Sequence, residues 1–306
     1  MSAYILLADP AFLRESVAAY YGRVDRIVVS YDRSGVSWTG TRLPLDQCLA
    51  IIDEIDVDHK CTAEPGRFAR LDEDPMDNET HQRQVALDAA SADADWVLQL
   101  DTDEVMLSPA TFFDALADAA EAGRAGLDYP AHWIYSRIAP GRYLQRSTRF
   151  WRKSASYPGP VAVAAGTRLR YARQADIDLH RVDLRARSTD PWRPADARVD
   201  AVIRPEQAIA HFSWVRDPEA MKRKFGWSGH SSQLASPRPY REWSWRSRHP
   251  YLTTLLTPLR RKDAGWLRLA TVPEPPGGNP PRVVLNGEAG RSPAADGTEP
   301  PGVARA

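Results

Sequence analysis

The feature that most constrains this chain is the alternation of short apolar runs with amphipathic stretches from its start to residue 122. Tyr4-Ile5-Leu6-Leu7-Ala8 is an apolar run ending at Asp9-Pro10, a strand followed by a breaker. Ala11 to Tyr21 has helical spacing, with Phe12, Val17 and Tyr20 or Tyr21 turned inward. Arg26 to Tyr31 predicts a second strand, closed by the turn-forming segment Asp32-Arg33-Ser34-Gly35. Leu45 to Ile55 predicts a helix, and residues 56–62 lead into a third strand. Asn78 to Ala92 predicts a further helix, and residues 95–100 a fourth strand. Ser108 is placed as an N-cap and Pro109 as the first residue of a helix that runs to Ala122 and stops at Gly123. Strands alternating with helices in this way form βαβ units on a mainly parallel sheet, and ligands bind outside the carboxyl ends of such strands. Asp32 and the cluster Asp101-Thr102-Asp103-Glu104 both fall at such ends.

The chain has 306 residues, 43% of them hydrophobic, which is enough to bury a large core. Its two cysteines, Cys48 and Cys61, have neither the spacing of a zinc site nor the number of a disulfide framework. No apolar run approaches the roughly 18 residues that span a bilayer. Residues 1–8 lack a basic segment and read as a first strand rather than a signal peptide, so a cytoplasmic location is expected. The formal net charge of zero hides an asymmetry. Residues 1–125 hold 24 acidic and 10 basic side chains, and residues 126–306 hold 16 and 30. Besides ordinary solvated surface, this division suits metal ligands in the first half and partners for phosphates or anionic lipids in the second.

Residues 126–235 are less regular, with strand-like pieces near His132–Ser136, Thr148–Trp151 and Ile209–Trp214. Residues 237–262 carry seven basic side chains against one acid, Glu242, with Trp243 and Trp245 among them. From Ala270 onward, 14 of 37 residues are Pro or Gly. The expected organisation is a domain over 1–235, a basic Trp-rich extension over 236–265 and a disordered tail over 266–306.

Two carboxylates in D-x-D spacing at a strand end can converge on one hard cation, Mg²⁺ or Mn²⁺, which takes its other ligands from water and substrate phosphates. Such a cation offsets the charge that builds on a diphosphate leaving group. Glu104 adds a third acid, as a ligand or through metal-bound water. An EF-hand is disfavoured, because Val105 and Met106 stand where a ligand and the turn glycine belong. A haloacid-dehalogenase-like phosphatase also places D-x-D-x-Val/Thr after an apolar strand, with the first acid, here Asp101, as nucleophile. That reading wants the motif near the domain start and a downstream acidic pair; a hundred residues precede it here and no such pair follows.

Gln82-Arg83-Gln84 followed by Ala94-Asp95-Trp96-Val97-Leu98-Gln99-Leu100-Asp101-Thr102-Asp103-Glu104 resembles the GT-A fold glycosyltransferases, most closely their family-2-like members. A second match runs from Ile209-Ala210-His211-Phe212-Ser213-Trp214-Val215-Arg216 into a Lys-rich stretch and Trp227-Ser228-Gly229-His230. The resemblance spans residues 3–235 and implies an α/β GT-A fold with an irregular acceptor-side half. It implies a sugar transfer from a nucleotide-diphosphate donor, with Asp101 and Asp103 binding the metal and His211 beside it. It places Asp32 against the base or ribose and Arg83 against the nucleotide, while Arg216, Lys222 and Lys224 would neutralise phosphate.

Related sequences continue from an aromatic-x-Gly segment into Val-His-Glu, whereas Tyr157-Pro158-Gly159-Pro160-Val161 is followed here by Ala162-Val163-Ala164. An inverting transferase needs a carboxylate to accept the acceptor's proton. Asp176, Asp178, Asp183 and Asp190 are the candidates left, and a non-catalytic nucleotide-sugar-binding module is a further alternative. The arginines and aromatics of residues 237–262 suit either packing against the rest of the chain or a peripheral contact at the inner face of a membrane. The membrane contact would fit a lipid-linked acceptor; a glycan is the other acceptor expected, and no nucleic-acid signature is present.

Overall fold

The computed structural model of the chain describes residues 1–227, 236–259 and 266–273. Four strands, β1 (Ser2–Leu6), β2 (Arg26–Asp32), β3 (Cys61–Gly66) and β4 (Trp96–Gln99), lie parallel in the order β4-β1-β2-β3. The chain steps outward from β1 to β3 and then crosses back to place β4 on the other side of β1. The boundary between β1 and β4 is therefore a topological switch point, where a crevice opens at the carboxyl ends of the strands. Beyond β4 the sheet continues through β9 (Ala162–Ala164), β6 (Gly126–Asp128), β10 (Leu179–Asp183) and β11 (Ala201–Val202). Of these eight strands only β9 runs antiparallel to its neighbours.

Both faces of this sheet are covered, which is why β1 reads as a continuous apolar run. Ala3, Ile5 and Leu98 pack with Val17, Ile52, Phe112 and Leu116. These last four come from α1 (Leu13–Tyr20), α2 (Leu45–Ile55) and α4 (Pro109–Glu121). Tyr4, Val28 and Val97 face the other way, onto Ala86, Leu87 and Ala90 of α3 (Pro75–Ala90). Helix α3 begins three residues before the expected Asn78, because Asp74 caps it by accepting from the Met76 N–H at 2.8 Å, with Pro75 in the first turn.

A second sheet has the order β13-β8-β7-β12-β5. It is built from β5 (Glu104–Met106), β7 (Ala131–Ala139), β8 (Arg142–Ser147), β12 (Ile209–His211) and β13 (Trp266–Thr271). Helices α5 (Pro218–Trp227) and α6 (Pro237–Arg248) cover one face, with Met221, Phe225 and Trp243 packed on Tyr135, Leu144 and Leu267. A short α7 (Pro250–Leu256) follows.

Three expectations are corrected here. Arg149–Trp151 is a 3₁₀ turn with left-handed backbone at Phe150 and Trp151, φ 60° and 52°, rather than a strand. Residues 266–271, within the span expected to be disordered, pair with β8 along its length; the apolar side chains Trp266, Leu267 and Leu269 outweigh the Pro/Gly-rich composition that follows them. Residues 274–306 lie outside the described residues. Trp243, from the segment read as an extension, is 3% exposed, and its indole donates to the Trp214 carbonyl at 3.1 Å, so α6 belongs to the core of the second sheet. Trp245, Tyr251 and Leu255 of the same segment are exposed. Among the described residues no helix is long and apolar enough to cross a membrane.

One buried group of this sheet sets a pH dependence. His132 on β7 has its Nε2 2.9 Å from the Pro205 carbonyl, an acceptor only, which assigns the proton to Nε2. Burial pushes the imidazole pKa down to about 4 from its usual 6.5. The unfolded chain takes up a proton that the folded chain refuses until lower pH. Stability from this group is thus complete above pH 6.5 and lost as pH falls toward 4. A His132→Gln variant is expected to remove this loss, about 3 kcal/mol, from the acid limb of the stability profile. Urea unfolding at pH 7 and pH 4.5 checks it; an unchanged pH slope would contradict it.

Candidate functional site

A cavity of about 540 Å³ opens at the switch point, in the size range of small-molecule sites. Leu6 and Ala8 line it from the end of β1, and Asp101, Thr102 and Asp103 from the end of β4. Glu79 and Arg83 enter from α3, His211 from β12, and Lys224, Phe225 and Trp227 from α5. Trp38, Trp133 and Trp214 complete much of the wall.

The acidic cluster is a tight turn between two sheets. The Glu104 N–H donates to the Asp101 carbonyl at 3.0 Å, and the Asp101 N–H donates to the Glu104 carboxylate at 3.1 Å. Antiparallel pairing of β5 with β12 sets His211 opposite Glu104, and the Phe212 N–H donates to the Asp103 carbonyl at 2.8 Å. Asp101, Asp103 and His211 each offer a ligand atom, and these atoms lie within 4.8 Å of one another. His211 Nε2 is 3.3 Å from Asp103 Oδ1, while Nδ1 faces Glu104 at 3.7 Å.

Cations hold both aspartates. Arg83 donates to Asp101 Oδ1 at 2.7 Å and to Glu79 at 3.0 Å. Asp103 Oδ2 accepts from Arg216 at 2.9 Å and from Lys224 at 2.6 Å. Burial alone would raise the Asp103 carboxyl, but Lys224, His211 and Arg216 hold it well below the usual range. Burial is likewise outweighed at Asp101 by Arg83 and Arg173, and that carboxyl is lowered too. At His211 burial favours the neutral ring, yet the Asp103 and Glu104 carboxylates raise its pKa above the ordinary value. Two carboxylate oxygens and one imidazole nitrogen fit a divalent cation, Mn²⁺ better than Mg²⁺, which prefers all-oxygen sets. Such binding requires a neutral His211.

Other expected site residues lie elsewhere. Asp32 does not line the cavity; its carboxylate accepts the backbone N–H groups of Ser34, Phe68 and Ala69 at 2.7–2.8 Å, fixing the loop after β3. Glu104 is fully buried behind the turn and bound by both terminal nitrogens of Arg173, so it supports the site without facing the cavity. Arg216 holds Asp103 from behind, anchored by Asp9 and the Phe212 and Val215 carbonyls. Lys222 points to solvent from α5. None of the four candidate bases lines the cavity. Asp176 pairs with Arg170 and Asp178 with Arg124, both near the surface. Asp183 accepts from Thr189 and the Leu184 N–H, and Asp190 sits with Arg181 and Arg193. His230 lies outside the described residues.

Sequence reasoning missed Glu79, Arg173 and the tryptophan wall. Glu79 carries a usable signal, an i,i+4 pairing with Arg83 on one helix face. Arg173 carries none, since its partner Glu104 is 69 residues away. The backbone around Arg173 also explains Gly159. That residue has φ 143°, and a Cβ there would come within 2.8 Å of Arg173 Cγ, so the position admits glycine alone without movement.

No family profile and no curated protein matches the chain. Solved structures match parts of it. A 4-diphosphocytidyl-2C-methyl-D-erythritol synthase from Anaerococcus prevotii is 12% identical at a TM-score of 0.33, over 54% of this chain and 70% of that one. A mannose-6-phosphate isomerase from Helicobacter pylori is 13% identical at a TM-score of 0.28, over 45% of this chain and 52% of that one. A mannose-1-phosphate geranyltransferase from Thermus thermophilus is 13% identical at 0.26, over 54% and 55%. The chain thus spans about half the length of the last two.

Proposed function

We propose that the chain is a metal-assisted glycosyltransferase that binds a nucleotide-diphosphate sugar in this cavity and passes the sugar to a hydroxyl acceptor. The observation that carries the reading is the convergence of Asp101, Asp103 and His211 at the carboxyl ends of β1 and β4, beneath an aromatic-walled cavity. A bound Mn²⁺ or Mg²⁺ would offset the charge developing on the departing diphosphate. Asp101, Asp103 and His211 would hold that cation. Arg83 and Arg216 fix the two carboxylates, and Glu104 faces the far nitrogen of His211, a carboxylate–histidine arrangement that orients the ring. Trp38, Trp133, Trp214 and Trp227 line the cavity and supply aromatic surface for a nucleobase or a sugar ring. Trp38 is held in place by its indole N–H, which donates to Gln82 at 2.8 Å.

The test is a panel of UDP-, GDP- and dTDP-sugars with and without Mn²⁺. Metal-dependent binding or hydrolysis of one donor class is the expected result. Phosphate release from simple phosphomonoesters, with no donor bound, would replace the proposal with the phosphatase reading. Metal-dependent donor binding without any turnover would leave a nucleotide-sugar-binding module.

A further inference from the structure

The cations around the two aspartates are held very unequally. Arg83 is anchored by both Glu79 and Asp101, and Arg173 by Glu104 and the Gln99 carbonyl. Arg216 is anchored by Asp9, Asp103 and two carbonyls, and its side chain is 1% exposed. Lys224 makes one hydrogen bond among the described residues, from Nζ to Asp103 Oδ2. Its side chain is 13% exposed, it lines the cavity, and its ammonium lies 5.8 Å from the centre of the Trp227 ring. It reaches Asp103 from α5.

With His211 neutral, five carboxylates surround the site, those of Asp9, Glu79, Asp101, Asp103 and Glu104, against three anchored arginines, Arg83, Arg173 and Arg216, and the single-bonded Lys224. With Lys224 in place the set is one charge from neutral. A divalent cation arriving alone has to take Asp103 from an ammonium already bonded to it, and it leaves the set positive. A diphosphate entering the cavity changes both conditions: it brings negative charge, and it gives Lys224 a second partner.

We propose that Lys224 is a displaceable counter-ion of Asp103, keeping the divalent-cation site closed until a diphosphate enters and then transferring its ammonium to the phosphate. This deepens the donor-binding reading above and rests on it. The metal and the diphosphate then bind with positive coupling, which is reciprocal by thermodynamic necessity.

The test measures binding on the full chain rather than turnover. Mn²⁺ affinity is measured by electron paramagnetic resonance of the free ion, and binding of inorganic pyrophosphate by calorimetry at saturating Mn²⁺. The proteins compared are the wild type, Lys224→Met, Lys224→Arg and Asp103→Asn. Methionine keeps an unbranched apolar stem and removes the charge. Lys224→Met is expected to bind Mn²⁺ alone on the order of 10-fold more tightly than the wild type, and to bind pyrophosphate more weakly. Lys224→Arg should keep the site closed, as in the wild type. Equal or weaker Mn²⁺ binding by Lys224→Met, with pyrophosphate binding still dependent on metal and lost in Asp103→Asn, overturns the role of Lys224 and leaves the donor reading standing. Absence of Mn²⁺ and pyrophosphate binding in every protein, wild type included, overturns both.

Discussion

An Asp103→Asn variant is expected to lose donor turnover by on the order of 10³-fold in kcat/KM, about 4 kcal/mol of transition-state stabilisation. Asp103 is the residue on which the site converges. One oxygen faces His211 at 3.3 Å, and the other accepts from Arg216 and Lys224. Asparagine keeps the size of the side chain, but a neutral amide neither supplies the charge that draws a divalent cation nor balances the guanidinium of Arg216 and the ammonium of Lys224 beside it. Arg216 retains Asp9 as a partner, so the fold is expected to survive. Steady-state kinetics with Mn²⁺, alongside a thermal midpoint, separates the two effects. A folded variant with kcat/KM within a few-fold of the wild type would mean that the chemistry lies elsewhere.

An Arg173→Met variant should have the largest effect on stability. Arg173 is 2% exposed, and Glu104, its bidentate partner, is fully buried. Removing one member of such a pair leaves an uncompensated buried charge, a loss of about 3–5 kcal/mol. In a chain of this size that lowers Tm by roughly 10 °C. Combining the change with Glu104→Gln is expected to recover part of the loss, because the orphaned carboxylate is gone; the deficit between the double variant and the sum of the singles measures the coupling. Both variants should also weaken Mn²⁺ binding by about 10–100-fold, since Glu104 faces Nδ1 of His211, the nitrogen opposite the one beside Asp103, and so orients the ring. Thermal unfolding of the four proteins in the cycle checks this. Additive losses would mean that the pair is not a unit.

The first sheet was readable because its signals are local. The first strand, which lies at Ser2–Leu6, two residues before the expected run Tyr4–Ala8, the strand before Asp101 and the exact span of α2 come from periodicity and turn residues within a short window. The strand-end position of Asp101 and Asp103 followed from the same reading. His211 came from the family resemblance, and its placement depends on β12 pairing with β5 more than a hundred residues away in sequence. Lys222 and Lys224 could have been separated: Met221, Lys224 and Phe225 share a helix face by i,i+3 and i,i+4 spacing, and the buried Met221 and Phe225 turn that face inward. Asp32 misled because a carboxylate at a strand end serves equally well to tie down neighbouring backbone N–H groups. Trp243 left two readings open, because tryptophans among arginines suit an interface as well as a core, and only tertiary packing shows this one between α6 and the second sheet.

Asp101, Asp103 and His211 are proposed to hold a divalent cation together with a diphosphate; this is the step on which the function rests. It is tested most directly by a crystal structure of the full chain grown with Mn²⁺ and a nucleoside diphosphate, with anomalous data collected at the manganese edge. One manganese peak bounded by these three residues is expected, with diphosphate oxygens completing its coordination and Lys224 turned from Asp103 to the phosphate. A nucleotide bound away from the carboxyl ends of β1 and β4, or bound there with no manganese between the aspartates, would contradict it.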